Sequence, residues 1–176
     1  SGSDIEPTNN SGIWAEGSEQ LHLVARTGDV VPGSDSEVFR WFGSPSINAL
    51  GQAAFYAETD TIGGFGIWAT DTSHNLHLVA KTGDILEVAP GDFRMINYVV
   101  FQNNTGNDDG RPSGFNDSGQ LVFWAQFTDG SEGIFVSSAV AVPEPSCLLA
   151  AAMILGLTVS SRLRLCSVWT NRPGVL

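Results

Sequence analysis

Positive charge is scarce in this chain. Its 176 residues hold 8 Lys and Arg against 19 Asp and Glu, a formal net charge of −11. A chain this acidic repels phosphate, which excludes a simple nucleic-acid binder. Cysteine is scarcer still: Cys147 and Cys166 are the only two, both near the C-terminus. That excludes a disulfide framework and a thiol nucleophile elsewhere in the chain. No His-x-x-x-His, Cys-x-x-Cys or Gly-x-Ser-x-Gly occurs, so the common zinc and nucleophile-elbow chemistries lack their residues. Helical periodicity is missing from residues 1–139. The glycine-rich Gly63-Gly-Phe-Gly66 precedes a strand pattern rather than a helix, which makes it a poor phosphate cradle.

The acids also stop abruptly. Residues 1–145 carry five bases against all 19 acids, a net of −14; residues 146–176 carry Arg162, Arg164 and Arg172 and no acid, a net of +3. Between Glu144 and Arg162 run 17 uncharged residues, Pro145 to Ser161, rich in Leu, Ala, Met and Ile. Spanning a bilayer takes roughly 17–25 apolar residues, so a transmembrane helix over 146–161 is expected. Arg162 and Arg164 form its cytoplasmic stop by the positive-inside rule. The acidic body is then outside the cytoplasm, and 162–176 is a basic cytoplasmic tail.

Val142-Pro143-Glu144-Pro145, followed by this apolar run and the Arg162/Arg164 pair, resembles the bacterial PEP-CTERM sorting signal. The resemblance covers about residues 141–164. It implies recognition of the Val-Pro-Glu-Pro motif by an exosortase-type processing enzyme at the membrane. The chain departs from the pattern in continuing beyond the basic pair to Leu176.

The body repeats itself. Leu21-His-Leu-Val-Ala-Arg-Thr-Gly-Asp29 recurs as Leu76-His-Leu-Val-Ala-Lys-Thr-Gly-Asp84, with Arg26 exchanged for Lys81 as the one difference. Gly12-Ile13-Trp14-Ala15 recurs as Gly66-Ile67-Trp68-Ala69 and, more weakly, as Gly133-Ile-Phe135. Asn48-Ala-Leu-Gly51-Gln-Ala-Ala-Phe55-Tyr-Ala57 recurs as Asn116-Asp-Ser-Gly119-Gln-Leu-Val-Phe123-Trp-Ala125. Each element reads as a strand by two-residue alternation: Leu121, Phe123, Ala125 and Phe127 share one face, Ala53, Phe55 and Ala57 another, and Leu21, Leu23 and Ala25 a third. Turn chemistry separates them. The prediction is an all-β tandem repeat of three- to four-stranded units over residues 1–139, with units near 11–65 and 66–132 and a partial unit at 133–139. The sorting motif follows at 140–145. A spacing of 54–55 residues fits a β-propeller blade of about 40–50 residues with one long loop.

These elements resemble the bacterial tandem-repeat surface proteins named for an Asn-x-x-Gly-x-x-Ala-Phe (NxxGxxAF) pattern. Asn48, Gly51, Ala54 and Phe55 match it in full; Asn116, Gly119 and Phe123 match with Val122 in place of Ala. The resemblance covers about residues 11–139 and implies a propeller-like fold. The chain opens on a Gly-Ile-Trp element and closes on Gly133-Ile-Phe135, complementary halves of one unit. Two expectations follow: a closing blade shared by both termini, or further repeats upstream making this body part of a longer one.

Chemistry is thin. His22 and His77 are repeat-equivalent, which favours sheet-face residues over catalysis; His74 sits in a polar turn. Asp29 and Asp84 end Thr-Gly-Asp and are expected to close turns on the local backbone. Asn107 and Asp109, before Gly110, match part of a calcium loop, with Thr105 at the first ligand position. Trp41, Phe42 and Tyr98 are candidate exposed aromatics for stacking on sugars. The expected role is that of an exported, surface-anchored module of the bacterial envelope, structural or bound to carbohydrate such as exopolysaccharide. The competing reading is an extracellular propeller-type glycosidase or lyase, which needs a pair of carboxylates at a defined separation.

Overall fold

A computed structural model describes residues 9–16, 20–101 and 114–140. The chain divides between Val142 and Pro143, and all described residues fall in the first unit. They form eleven strands and no helix: β1 (Gly12–Glu16), β2 (Leu21–Arg26), β3 (Phe39–Phe42), β4 (Ser46–Ile47), β5 (Ala53–Thr59), β6 (Phe65–Thr70), β7 (Leu76–Lys81), β8 (Ile85–Ala89), β9 (Asp92–Phe101), β10 (Leu121–Phe127) and β11 (Glu132–Ser137). Every pairing between them is antiparallel. The described residues are therefore all-β, in partly curled sheets. Among the described residues no helix is long and apolar enough to cross a membrane; the 146–161 span and the motif at 142–145 lie outside the described residues.

Three sheets result. A central sheet runs β3-β5-β6-β7, with β4 also on β5; β1-β2 form a two-stranded sheet; β11-β10-β9-β8 form a four-stranded one. The two Gly-Ile-Trp strands pair with their Leu-His-Leu-Val-Ala strands in one register. Gly12 faces Arg26, Ile13 faces Ala25 and Trp14 faces Leu23; Gly66 faces Lys81, Ile67 faces Ala80 and Trp68 faces Leu78. Both ladders slip between the Ile and the Trp, so Val24 and Val79 are the extra residues of matching bulges. The Asn-x-x-Gly strands are likewise alike: Phe55 faces Trp68 and Tyr56 faces Ile67, as Phe123 faces Phe135 and Trp124 faces Ile134.

The structure adds a strand that residue identity does not reveal. Phe39, Trp41 and Phe42 of β3 face Thr59, Glu58 and Ala57, just as Ile96, Tyr98 and Val99 of β9 face Phe127, Gln126 and Ala125. The turn contacts agree: Gly28 N–H donates to Phe39 O and Gly83 N–H to Ile96 O, each at 2.8 Å. A complete sheet is thus a four-stranded meander, β3-β5-β6-β7. The β1-β2 sheet holds the second half of that pattern, and β9-β10-β11 hold its first three members.

Alternation in β5 and β6 feeds two cores. Phe55, Ala57 and Trp68 pack with Ile13, Ala25, Val31 and Phe39. Ala54, Ile67 and Ala69, on the opposite face, pack with Ile96, Val99, Leu121, Phe123, Ala125 and Phe127. The central sheet is covered on both faces, which is why its strands are apolar at nearly every position. The expected face Leu121–Phe123–Ala125–Phe127 is buried throughout. The expected face of β2 is not: Leu21 and Leu23 are exposed and Ala25 alone is buried. The bulge at Val24 breaks the period, and Val24 packs against the core instead.

Candidate functional site

The repeat-defining residues are structural. In each Gly-Ile-aromatic strand the ring lies back over the glycine. A Cβ on Gly66 would sit 2.6 Å from Trp68 Cη2, one on Gly12 2.9 Å from Trp14 Cη2, and one on Gly133 3.0 Å from Phe135. The close approach demands glycine most strictly at Gly66, where the Trp68 ring is fully buried and cannot move aside. Thr-Gly-Asp closes a turn, with Asp29 N–H donating to Arg26 O and Asp84 N–H to Lys81 O. Gly28 and Gly83 take φ of 87° and 90°, which a type II turn demands at its third position.

Asn48 and Asn116 each fold an identical lock. The Asn48 Oδ1 accepts from the N–H of Leu50 and Gln52 while Nδ2 donates to Gln52 Oε1. The Asn116 Oδ1 accepts from Ser118 and Gln120 N–H while Nδ2 donates to Gln120 Oε1. The two locks also dock on each other: Asn48 Nδ2 donates to Asn116 O at 3.0 Å, and Ala49 N–H to Asp117 Oδ1 at 2.9 Å. Gln52, fully buried, donates through Nε2 to Thr70 O and Val140 O.

The exchange of Arg26 for Lys81 has a cause. Arg26 pairs with Asp29 on the surface at 3.3 Å. Lys81 instead reaches Glu37 Oε2 at 2.6 Å, and Thr59 Oγ1 donates to the other carboxylate oxygen. Burial of Glu37 would raise its pKa, but Lys81 and the Thr59 and Thr61 hydroxyls outweigh burial and hold it below the usual carboxylate range. Asp84 accepts the Lys81 N–H at 2.9 Å; burial pushes its carboxyl up against that bond. Asp29 and Asp84 are thus occupied by neighbours on their own turns.

Two of the histidines meet where β2 approaches the turn before β7, and His77 on β7 pairs with Asp71. The His22 and His74 rings lie 4.6 Å apart, and His77 Nε2 is 2.9 Å from Asp71 Oδ2. Among the described residues no three His, Cys, Asp or Glu side chains converge as metal ligands. The calcium-loop positions Asn107 and Asp109 lie outside the described residues, as do Val142, Pro143, Glu144, Pro145, Arg162 and Arg164.

Trp41, Phe42 and Tyr98 do come together. All three line one cleft of about 330 Å³, with Gly43, Ser44, Tyr56 and Val99–Phe101. Trp41 is 52% exposed and Tyr98 39%; Phe42 is half-buried and packs inward, tilted against Phe39 and edge-on to Phe55. Trp41 and Tyr98 occupy equivalent places in β3 and β9, and Tyr56 and Trp124 do so in β5 and β10. The repeat therefore builds one aromatic pair twice. Trp41–Tyr56 has its centroids 6.4 Å apart at 75°, and Tyr98–Trp124 6.4 Å apart at 71°. Phe65 joins the pairs, stacked on Tyr56 at 5.7 Å and edge-on to Tyr98 at 5.9 Å. Five rings run without a break from the central sheet to the β8–β11 sheet. Burial first, then the neighbouring Tyr98 and Glu58, pushes the Tyr56 phenol upward, so it stays neutral and able to donate. Residue identity could not find this ladder, because its members are Trp in one unit and Tyr in the next.

Fold and site together define an all-β tandem-repeat protein with a duplicated aromatic strip on its surface. Residues 1–149 match a family of unknown function (DUF7453), and the chain belongs to that family. No curated protein and no solved structure matches the chain.

Proposed function

We propose that this chain is an exported, surface-anchored β-repeat protein of the bacterial envelope whose Trp41–Tyr98 cleft binds glycan. The five-ring ladder carries the reading. Open aromatic faces stack on the apolar faces of sugar rings, and Tyr hydroxyls beside them supply hydrogen bonds. The net charge of −14 over residues 1–145 favours neutral or amino sugars over polyanionic exopolysaccharide. The cleft offers rings, two valines, Gly43 and Ser44, with no carboxylate among its described lining residues. A glycosidase requires two, which favours binding over the glycosidase reading.

The anchor part rests on sequence. Val142–Pro145, the uncharged 17 residues and Arg162/Arg164 support a PEP-CTERM signal with a transmembrane helix at 146–161, processed by an exosortase-type enzyme. The four-stranded antiparallel meander supports a propeller-like arrangement of blades. A glycan array probed with the intact chain tests the function. Retention without sugar release supports a binding module. Sugar release that is lost in carboxylate variants replaces it with an enzyme.

A further inference from the structure

The repeat is interrupted at two strand edges among the described residues, the outer edge of β1, which lacks a β5-type neighbour, and that of β11, which lacks a β7-type one. In the central sheet the Gly-Ile-Trp strand β6 is flanked by β5 on one side and β7 on the other, and Ile67, Trp68 and Ala69 are fully buried. Strand β11 is paired to β10 in the register that β6 has with β5, but no described strand lies on its other side. Its Ile134 and Val136 are 75% and 63% exposed because, among the described residues, their face lacks the neighbouring sheet that covers Ile67 and Ala69; the edge is marked by its unpaired backbone instead. The edge is six residues long, apolar, and free of the Pro, Lys or bulge that normally blunts such an edge.

Two internal examples say what fits there. Both Gly-Ile-Trp strands take a Leu-His-Leu-Val-Ala strand, antiparallel, with the same bulge, and with its base opposite the glycine. Transferred to β11, that register sets Ala opposite Ile134, Leu opposite Phe135 and the base opposite Gly133. The base then lies beside the exposed Glu132, and the net acidity of the body favours it again. We infer that the free edge of β11 accepts, from another molecule, an extended strand of Leu-x-Leu-Val-Ala-(Arg/Lys) sequence, completing a fourth strand by β-augmentation. The glycan cleft plays no part in this contact, so the two stand or fall separately.

The probe is a synthetic peptide with the sequence of Leu21–Asp29, titrated into the full chain, with amide exchange followed through β11. Binding is expected, with slowed exchange confined to Glu132–Ser137. A scrambled peptide should bind at least tenfold more weakly. N-methylating the amides of one peptide edge should abolish binding, while methylating the other edge should leave it. Four results would overturn the inference: no binding, equal binding of the scrambled peptide, slowed exchange elsewhere, or β11 amides already fully protected in the free chain. The last would mean that another segment of the same chain covers the edge.

Discussion

Asn48 and Asn116, 68 residues apart and at the same position of the repeat, are hydrogen-bonded to one another, the Asn48 side chain donating to the Asn116 carbonyl at 3.0 Å. The contact makes the repeat signature its own adhesive. Each Asn first fixes its own turn, and the first turn then binds the second.

Asn48→Ala removes four hydrogen bonds from a buried site. At about 1 kcal/mol per bond, and more where a buried partner is stranded, it should cost about 3–4 kcal/mol in urea unfolding. Asn116→Ala removes its bonds from an exposed turn and should cost about 1 kcal/mol. Equal costs would contradict the docking of one lock on the other.

Gly66→Ala places a Cβ against the Trp68 ring and 3.2 Å from Ala80 O, in a core with no room for either to move. Overpacking of this kind costs about 1–3 kcal/mol. Gly12→Ala meets Trp14, which is 54% exposed and free to swing out, so its melting temperature should fall less. The reverse order would show that the ring-over-glycine contact is not what fixes the motif.

Lys81→Met leaves Glu37 buried without its cation. Removing one member of a buried pair costs about 3–5 kcal/mol; Lys81 is partly exposed, so about 2 kcal/mol is expected at pH 7. In the wild type Glu37 titrates below its ordinary value of 4.5, so its contribution is present above that pH and lost as pH falls through the lowered value. In the variant, burial acts unopposed by Lys81 and raises the Glu37 pKa. The deficit should therefore shrink as the pH is taken from 7 toward 4. A deficit independent of pH would place the loss elsewhere.

Asp71 provides a second acid probe. Burial pulls its pKa up, but the combined bonds from His77, Asn75 and Ser73 outweigh burial and hold it at about 2, against an ordinary 3.8. Its stabilising effect is present above 3.8 and disappears as the pH approaches 2. An NMR titration should find that midpoint, and His77→Ala should move it upward. No movement would mean that His77 does not hold the carboxylate.

The all-β class was legible because two-residue alternation and three near-identical elements mark their strands directly, whereas β3 and β9 were not. Leu121–Phe127 shows its buried face without ambiguity. Leu21 and Leu23 mislead because a bulge at Val24, invisible in sequence, shifts the period. The aromatic site was legible only as separate residues. Trp41, Phe42 and Tyr98 stand out as aromatic, but the equivalence of Trp41 with Tyr98 exists only in the pairing of β3 with β5 and of β9 with β10. Strands related by register rather than by identity leave no trace in a self-comparison.

The anchor is tested by deleting residues 145–164. The body should then appear in the soluble fraction, and mass spectrometry of the surface form of the intact chain should place its C-terminus near Val142–Pro145. Persistent membrane association of the deletion, or a surface form ending at Leu176, would contradict the proposed signal.

The most direct test of the account is a titration of the chain with a neutral polysaccharide that it retains, repeated with Trp41→Ala. Trp41 is half exposed, so the variant should keep the wild-type melting temperature. Loss of one stacking ring at about 0.5–1.5 kcal/mol predicts an affinity about 2- to 13-fold weaker. Wild-type affinity in the Trp41→Ala chain would contradict a glycan site on the aromatic ladder.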